Sequence, residues 1–402
     1  MVTRRSFLAA LGAAAVATRA ECEVNPPRVD PEVGAGPFYL QFTSPTTCDV
    51  RWRTKAPTTG SVRWHQGDGA WQSAVAMRDG LICANTCNHC VTLRGVNPAK
   101  PLILEASSQA CQTFEPYRIV LGPESLCAQA NLRPWVGEAG LSLAIFNDLH
   151  GRVDLVPRLL DSPEVAAAKP AIALFNGDCA DDCQSPAGLD QRFLRVLPEA
   201  LARGITPLIL RGNHEYRGVM ARHLREFVSP LAGGRYYGAF TLGPVRFLCL
   251  DTGEDKPDGH PVYGGLIASD AYVAEEAAWL QDELASEAWR EAPWRVAVGH
   301  IPPFSHNEED DAWHGPTRLR QLIAPLLAKA GNLDAMICGH NHAYALHPAC
   351  ADHAYPILVG GGPSEGSATA MLLQATEERL TIHARTLAGA CPGGIVLKSA
   401  AR

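Results

Sequence analysis

The chain has 402 residues, 47% of them hydrophobic, which is more than one ordinary core requires, so two folded units are expected. Its formal net charge of −7 offers no basic surface to a phosphate backbone, and this excludes a general nucleic-acid binder.

Residues Met1 to Ala20 read as an export signal rather than as fold. Thr3-Arg4-Arg5-Ser6-Phe7-Leu8 precedes a short apolar run to Ala17, with small residues suited to cleavage after Ala17 or Ala20, the pattern of a twin-arginine leader. A membrane anchor needs roughly 20 apolar residues, and Arg19 and Glu21 interrupt this run sooner. Glu21 before Cys22 argues against a lipoprotein anchor, so a periplasmic or secreted protein without a stable membrane anchor is expected. Thirteen cysteines suit that oxidising setting, and their odd number leaves at least one thiol unpaired within the chain.

From residue 32 to 123 short alternating segments dominate, among them Phe38 to Phe42, Cys48 to Arg53, Gly60 to Trp64, Cys90 to Leu93 and Leu102 to Ala106. Pro, Gly, Thr and Asn separate them, which predicts an antiparallel β-sandwich. Cys83, Cys87 and Cys90 with His89 read either as a zinc knuckle or, as export favours, as disulfide partners of Cys48, Cys111 or Cys127. Residues 124–138, with Pro134, are the expected linker.

Residues 139–389 have another texture. Five apolar runs, Leu143 to Phe146, Ala171 to Phe175, Pro207 to Leu210, Arg295 to Val298 and Ala335 to Cys338, read as buried strands. Helical stretches are expected over Asp190 to Arg203, over Ala271 to Glu287 after a Ser269 cap, and over Thr317 to Ala330. The fold class is therefore α/β, with mixed, mostly parallel sheets covered by helices, in which polar chemistry gathers at the carboxyl ends of strands.

All five runs end in polar motifs: Asp148-Leu149-His150, Gly177-Asp178, Gly212-Asn213-His214-Glu215, Gly299-His300 and Gly339-His340-Asn341-His342. Asp148, His150, Asp178, Asn213, His300, His340 and His342 offer imidazole and oxygen donors without a thiolate, a set suited to iron, manganese or zinc. One carboxylate, most simply Asp178, can bridge two ions roughly 3.5–4 Å apart. In an extended segment residues i and i+2 point the same way, so Asp148 with His150, and His340 with His342, are expected to face one site. Cys179 and Cys183 straddle the loop after Asp178, where a bridge would stiffen it.

The ordered set resembles the calcineurin-like metallophosphoesterases, over roughly residues 140–389. The resemblance implies that Asp148, His150 and His342 hold one ion, that Asn213, His300 and His340 hold the other, and that Asp178 bridges. It places His214 against the scissile phosphate. The amino-terminal region, through His89-Cys90-Val91-Thr92-Leu93-Arg94-Gly95-Val96-Asn97-Pro98, resembles the fibronectin type III-like domain of purple acid phosphatases. Those enzymes carry a tyrosine ligand three residues after the bridging aspartate, and Asp181 stands there in this chain; they also lack the histidine that His150 supplies.

The implied chemistry is hydrolysis of small phosphate monoesters or diesters by in-line attack of a hydroxide held between two ions. Arg211 or Arg217 is expected to balance phosphoryl charge, His214 to protonate the leaving oxygen, and Glu215 or Asp181 to orient His214. Loops Thr252 to Ser269 and Ser305 to Gly315 form the expected rim, with Trp313 or Tyr263 stacking on the leaving group and the acidic run Glu308 to Asp311 repelling polyanions. A cyclic-nucleotide or phospholipid-headgroup diesterase, and a non-catalytic cell-surface binding protein, are the alternatives.

Overall fold

The structure, a computed structural model, describes residues 28–29, 34–182 and 184–399. The expected export signal, Cys22 and Cys183 lie outside the described residues. Among the described residues no helix is long and apolar enough to cross a membrane.

The amino-terminal part is antiparallel throughout. One layer joins Arg28–Val29, Arg118–Leu132, Leu102–Glu115, Ser61–Gln66 and Gln72–Val75, the other Tyr39–Ser44, Thr47–Thr58 and Thr86–Arg94, and the two meet where Thr58 pairs with Ala110. The alternating pattern explains the core: Cys48, Val50 and Trp52 on one strand, and Leu102, Leu104 and Ala106 on another, all point inward. The expected linker is largely a strand instead, since Arg118–Leu132 runs alongside Leu102–Glu115 as far as Leu132 paired with Leu102. Pro123 causes only a break in register there, because a proline at a bulge costs no ladder hydrogen bond.

Neither expectation for the cysteine cluster is met. Cys48, Cys83, Cys87, Cys90 and Cys111 are free thiols, and the described residues show no metal-competent group among them. On the strand Thr86–Arg94, His89, Val91 and Leu93 share the inward face, while Cys90 points to the other side of the pleat. One ion cannot be reached from both faces. His89 instead stacks on Trp52 and lies 2.8 Å from Thr58 Oγ1.

Burial depresses His89 from 6.5 to about 4. The unfolded chain therefore takes up a proton near pH 6.5 that the folded chain refuses until about pH 4, so this contribution to stability is complete above 6.5 and lost as pH falls. Denaturant titrations across that window should show a loss on the order of 2 kcal/mol after allowance for solvent at the ring edge. His89→Gln should flatten the pH dependence; an unchanged slope would remove His89 as its source.

Two mixed sheets build the rest. The first runs Thr206–Leu210, Ile172–Asn176, Gly140–Phe146, Thr369–Ala375, Arg379–Thr386, Gly394–Lys398, with Val136–Gly137 on Gly140–Phe146. The second runs Gly238–Leu242, Val245–Leu250, Trp294–Gly299, Ala335–Cys338, Ile357–Val359, Ala345–His347. The strands that carry the polar motifs are the parallel ones, buried along nearly their whole length and rich in Val, Ile and Leu. Helices Ser269–Leu284, His314–Leu322 and Ala324–Ala330 cover the second sheet through Val273, Leu280, Leu319 and Leu327. Ser269 is the first residue of its helix, and its hydroxyl accepts from Glu254 N at 2.9 Å instead of capping. The stretch after Asp190 is a π-helical turn, Asp190–Leu194, followed by Val196–Leu201.

The two parts share one buried cluster, and Phe42 packs edge-on against Trp135 and Phe240. Tyr39 Oη donates to Phe227 O at 2.6 Å, Gln41 exchanges two 2.8 Å hydrogen bonds with the Ser229 backbone, and Arg51 donates to Glu226 O at 2.6 Å and to Ser229 Oγ at 2.8 Å. These polar groups are buried and matched, so the contact is specific as well as apolar.

Candidate metal centre

Each motif-bearing strand releases a donor just beyond its carboxyl end. Asp148 follows Gly140–Phe146, Asp178 follows Ile172–Asn176 and Asn213 follows Thr206–Leu210; His300, His340 and His342 come from the second sheet. The crevice between the sheet ends thus collects all seven expected donors. Three groups form: Asp148, His150 and His342; His150, Asp178 and His214; and Asp178, His300 and His340, with donor atoms inside each group within 4.8 Å of one another. Asn213 Oδ1 is 3.1 Å from His340 Nδ1 and so lies beside the third group. Asp178 belongs to two groups.

The donors do not converge through an extended backbone, as the i and i+2 pattern led us to expect. Asp148, His150, Asp178, His340 and His342 have φ of 54°, 45°, 50°, 74° and 57°, all left-handed. Such conformations cost on the order of 1–3 kcal/mol each outside glycine and persist where surrounding contacts over-determine them. Here hydrogen bonds do so: both Asp148 oxygens accept from His340 N at 2.9 and 3.0 Å, and Asp178 Oδ1 accepts from His214 N at 2.8 Å. Gly177 and Gly212 are required by close approach, since a Cβ on Gly177 would sit 2.6 Å from Gly212 Cα and 2.7 Å from His300 Nδ1.

The electrostatics call for a cation. Asp148 and Asp178 are both buried, and His300 Nε2 lies 3.0 Å from Asp178 Oδ2 and 3.6 Å from Asp148 Oδ1. Its other nitrogen faces Asn176 O at 2.9 Å, which accepts from Nδ1–H and leaves Nε2 aimed at the carboxylates. Nε2 is out of alignment for a hydrogen bond and remains a buried, unpartnered atom. Burial alone would lower His300; Asp178 and Asp148 outweigh it and raise it to about 10. Burial lifts Asp148 to about 8, although His300 opposes it, whereas for Asp178 the pull of His300 and His214 overcomes burial and holds the carboxyl below its usual range. Two buried carboxylates around an imidazole nitrogen without an aligned hydrogen-bond partner are a fit for a metal ion, because a cation that displaces the imidazole proton satisfies all three at once.

The neighbours of this cluster differ from expectation. Glu215 does not orient His214: its carboxylate is buried and accepts from Gly212 N at 2.7 Å and from Asp178 N and Cys179 N at 2.9 Å. It staples the Asp178 loop to the Asn213 loop. Glu215→Gln turns one acceptor into a donor facing these N–H groups and should cost about 2–4 kcal/mol in denaturant unfolding of metal-free protein; a loss below about 0.5 kcal/mol, the scatter of neutral surface changes, would show the staple to be idle.

Asp181 contacts both histidines, through its carboxylate to His150 Nδ1 at 2.7 Å and its carbonyl to His214 Nδ1 at 2.6 Å. A carbonyl only accepts, so His214 carries its proton on Nδ1, and Nε2 accepts from Arg217 Nη1 at 2.9 Å. Arg217 is itself clamped by Glu254 at 2.8 and 3.0 Å and by Asp255 at 2.9 Å. Arg211 is turned away and occupied by Asp251 and Tyr216. Glu254 and Asp251 escaped the sequence reading, although Val245–Leu250 is an apolar strand ended by Asp251 and obeys the rule that located the five motifs.

Arg217, Lys256 and Arg222 line a 580 Å³ cavity with Tyr263, Val262 and Leu266. Trp313 stacks its ring under Lys256 Nζ at 5.1 Å. In the other rim loop the acidic helix Glu308–Asp311 spends Asp310 on Asn341 Nδ2 at 2.6 Å and Asp311 on Ser305 N at 2.8 Å.

Comparison with known proteins agrees with this fold. The chain is 28% identical over 248 residues to purple acid phosphatase 21 of Arabidopsis thaliana, covering 57% of this chain and 51% of that protein. It is 24% identical over 180 residues to a probable purple acid phosphatase 20 of the same plant, covering 40% of this chain and 39% of that protein. The chain thus spans about half the length of these relatives or less. In fold it is similar to the purple acid phosphatase PPD1 from yellow lupin (Lupinus luteus) seeds, with a TM-score of 0.65 at 14% identity over 93% of this chain and 74% of that one. It is also similar to PhoD, with a TM-score of 0.58 at 12% identity over 90% of this chain and 88% of that one. The calcineurin-like phosphoesterase profile matches residues 141–344, half of the chain and every donor loop described above, and the chain belongs to that family.

Proposed function

We propose that this protein is an exported metal-dependent hydrolase of small phosphate esters that works with two metal ions. The observation that carries the reading is the buried junction at Asp178, shared by the group with His150 and the group with His300 and His340. Asp148, His150 and His342 would hold one ion, His300, His340 and Asn213 the other, and Asp178 both. When bound, such ions activate water and neutralise phosphoryl charge.

The protein groups supply the rest. The Asp181 carboxylate orients His150, and the Asn176 carbonyl orients His300, as outer partners of metal ligands do. Arg217, fixed on three sides by Glu254 and Asp255, has Nη1 directed at His214, so a phosphoryl oxygen entering there meets a held guanidinium and an imidazole together. The 580 Å³ cavity beyond Arg217 joins cationic Lys256 and Arg222 to apolar Val262 and Leu266, which suits an ester with one apolar substituent and a phosphate. Export is read from the composition of Met1 to Ala20, and fractionation of cells expressing the full chain tests it: retention in the cytoplasm would refute it.

The deciding experiment reconstitutes metal-free protein with iron, manganese or zinc and compares a chromogenic phosphate monoester with its bis-ester. Hydrolysis of either, saturating at two ions per chain when the ion is manganese, is expected. Inactivity with every metal and ester would overturn the reading in favour of a non-catalytic binding protein.

A further inference from the structure

A second cluster of metal-binding side chains lies outside the site just described. His306, Cys350 and His353 bring their donor atoms within 4.8 Å of one another. His353 is buried, whereas His306 and Cys350 are exposed, so the cluster opens to solvent on one side. The strand Ala345–His347 leads into Pro348-Ala349-Cys350-Ala351-Asp352-His353, giving the spacing His-x2-Cys-x2-His across His347, Cys350 and His353. The turn is closed by Cys350 N donating to His353 O at 2.8 Å.

Two details prepare this cluster for an ion. His353 Nδ1 faces Tyr355 O at 2.6 Å, so its proton sits on Nδ1 and its Nε2 presents a lone pair, the tautomer of a ligand imidazole. That lone pair points at His306 Nε2, 2.9 Å away. Two nitrogens on one tetrahedral zinc stand about 3.3 Å apart when each bond is ~2.0–2.1 Å, so a small opening of this pair admits the metal. His306 is held in reach by a left-handed backbone, φ 51°. The His347 ring, centred 5.0 Å from that of His306, flanks the cluster from the strand that leads into the turn.

We propose that His306, Cys350 and His353 form a mononuclear site for a thiophilic divalent cation, Zn²⁺ first among them. The thiolate sets its selectivity: sulfur with imidazole favours zinc over magnesium, calcium or manganese. The seven donors of the main centre contain no sulfur, so the two sites differ in kind. Binding releases the Cys350 proton to solvent and ties the rim loop beginning at Ser305 to the turn Cys350 to His353. That loop is already joined to Asn341, between His340 and His342, through Asp310. The ion therefore clips the rim beside the main centre.

Cobalt distinguishes this site from the main centre without reference to turnover. Metal-free full-length protein titrated with Co²⁺ should develop a thiolate-to-cobalt charge-transfer band, which Zn²⁺ abolishes. Cys350→Ser and His306→Ala should each lose the band and one equivalent of zinc, while Zn²⁺ should slow alkylation of Cys350, mapped by mass spectrometry, at least tenfold. His306 is exposed, so its replacement leaves the fold intact. A band and zinc stoichiometry unchanged in Cys350→Ser, or equal alkylation of Cys350 with and without Zn²⁺, would overturn the proposal. These readouts do not depend on phosphoesterase activity, so the failure of either reading leaves the other standing.

Discussion

Asp178→Asn is expected to lower turnover on the order of 10³-fold and to weaken the binding of both metal ions. The substitution is chosen because it preserves shape. Asparagine keeps an oxygen that can accept from His214 N, the 2.8 Å hydrogen bond that fixes the loop, and keeps the backbone amide that donates to Glu215 at 2.9 Å. What it removes is the charge and one oxygen at the point where two groups of donors meet. Asp148 offers the contrast, because its carboxylate belongs to the group with His150 and His342 alone. Asp148→Asn should therefore cost one ion and Asp178→Asn both, as read by metal analysis after equilibrium dialysis. An Asp178→Asn protein that keeps both ions and full turnover would refute the bridging assignment.

How legible was this site in the chain itself? The donors were legible, because each strand is a continuous apolar run and a polar residue can follow such a run only where the strand leaves the core. Their convergence was legible in outcome but not in cause. Pleat geometry suggested extended segments, yet Asp148, His150, His340 and His342 are left-handed, a choice forced by hydrogen bonds between loops that are distant in sequence. The same limit explains Glu215. Its neighbour in sequence is His214, but its partners, Asp178 N and Cys179 N, are residues brought close only by the parallel pairing of Ile172–Asn176 with Thr206–Leu210.

The boundary after residue 123 was misplaced for a related reason. Prolines and glycines signal a linker when backbone hydrogen bonds go to water, and Gly122 and Pro123 sit instead at a register shift inside a long ladder. The Arg51 contacts to Glu226 and Ser229 were equally invisible, since an arginine in an alternating strand reads as a wet face. It faces the other domain. The amino-terminal part is therefore a buttress for the segment Glu226 to Ser229, which follows directly on Arg222 and the cavity it lines.

His214→Ala is expected to lower kcat by about 10²–10⁴-fold while both ions stay bound. The ring is placed beside the donors, with Nε2 3.8 Å from Asp178 Oδ2, but its own hydrogen bonds go to Asp181 O and Arg217 Nη1. Loss of the ring thus leaves the metal ligands in place. If His214 first takes up a proton at Nε2, the nitrogen that faces Arg217 Nη1, and passes it to the leaving oxygen, the defect must grow with the basicity of the leaving group, because a good leaving group departs without help. A nitrophenyl ester should then lose least and an alkyl ester most. Arg217→Lys provides the counterpart: it keeps a charge but loses the fork gripped by Glu254, so it should raise KM for both esters by similar factors and leave that dependence intact. Equal losses for nitrophenyl and alkyl esters in His214→Ala would assign the ring to positioning the phosphate with Arg217, and would move the proton to water or to another group at the rim.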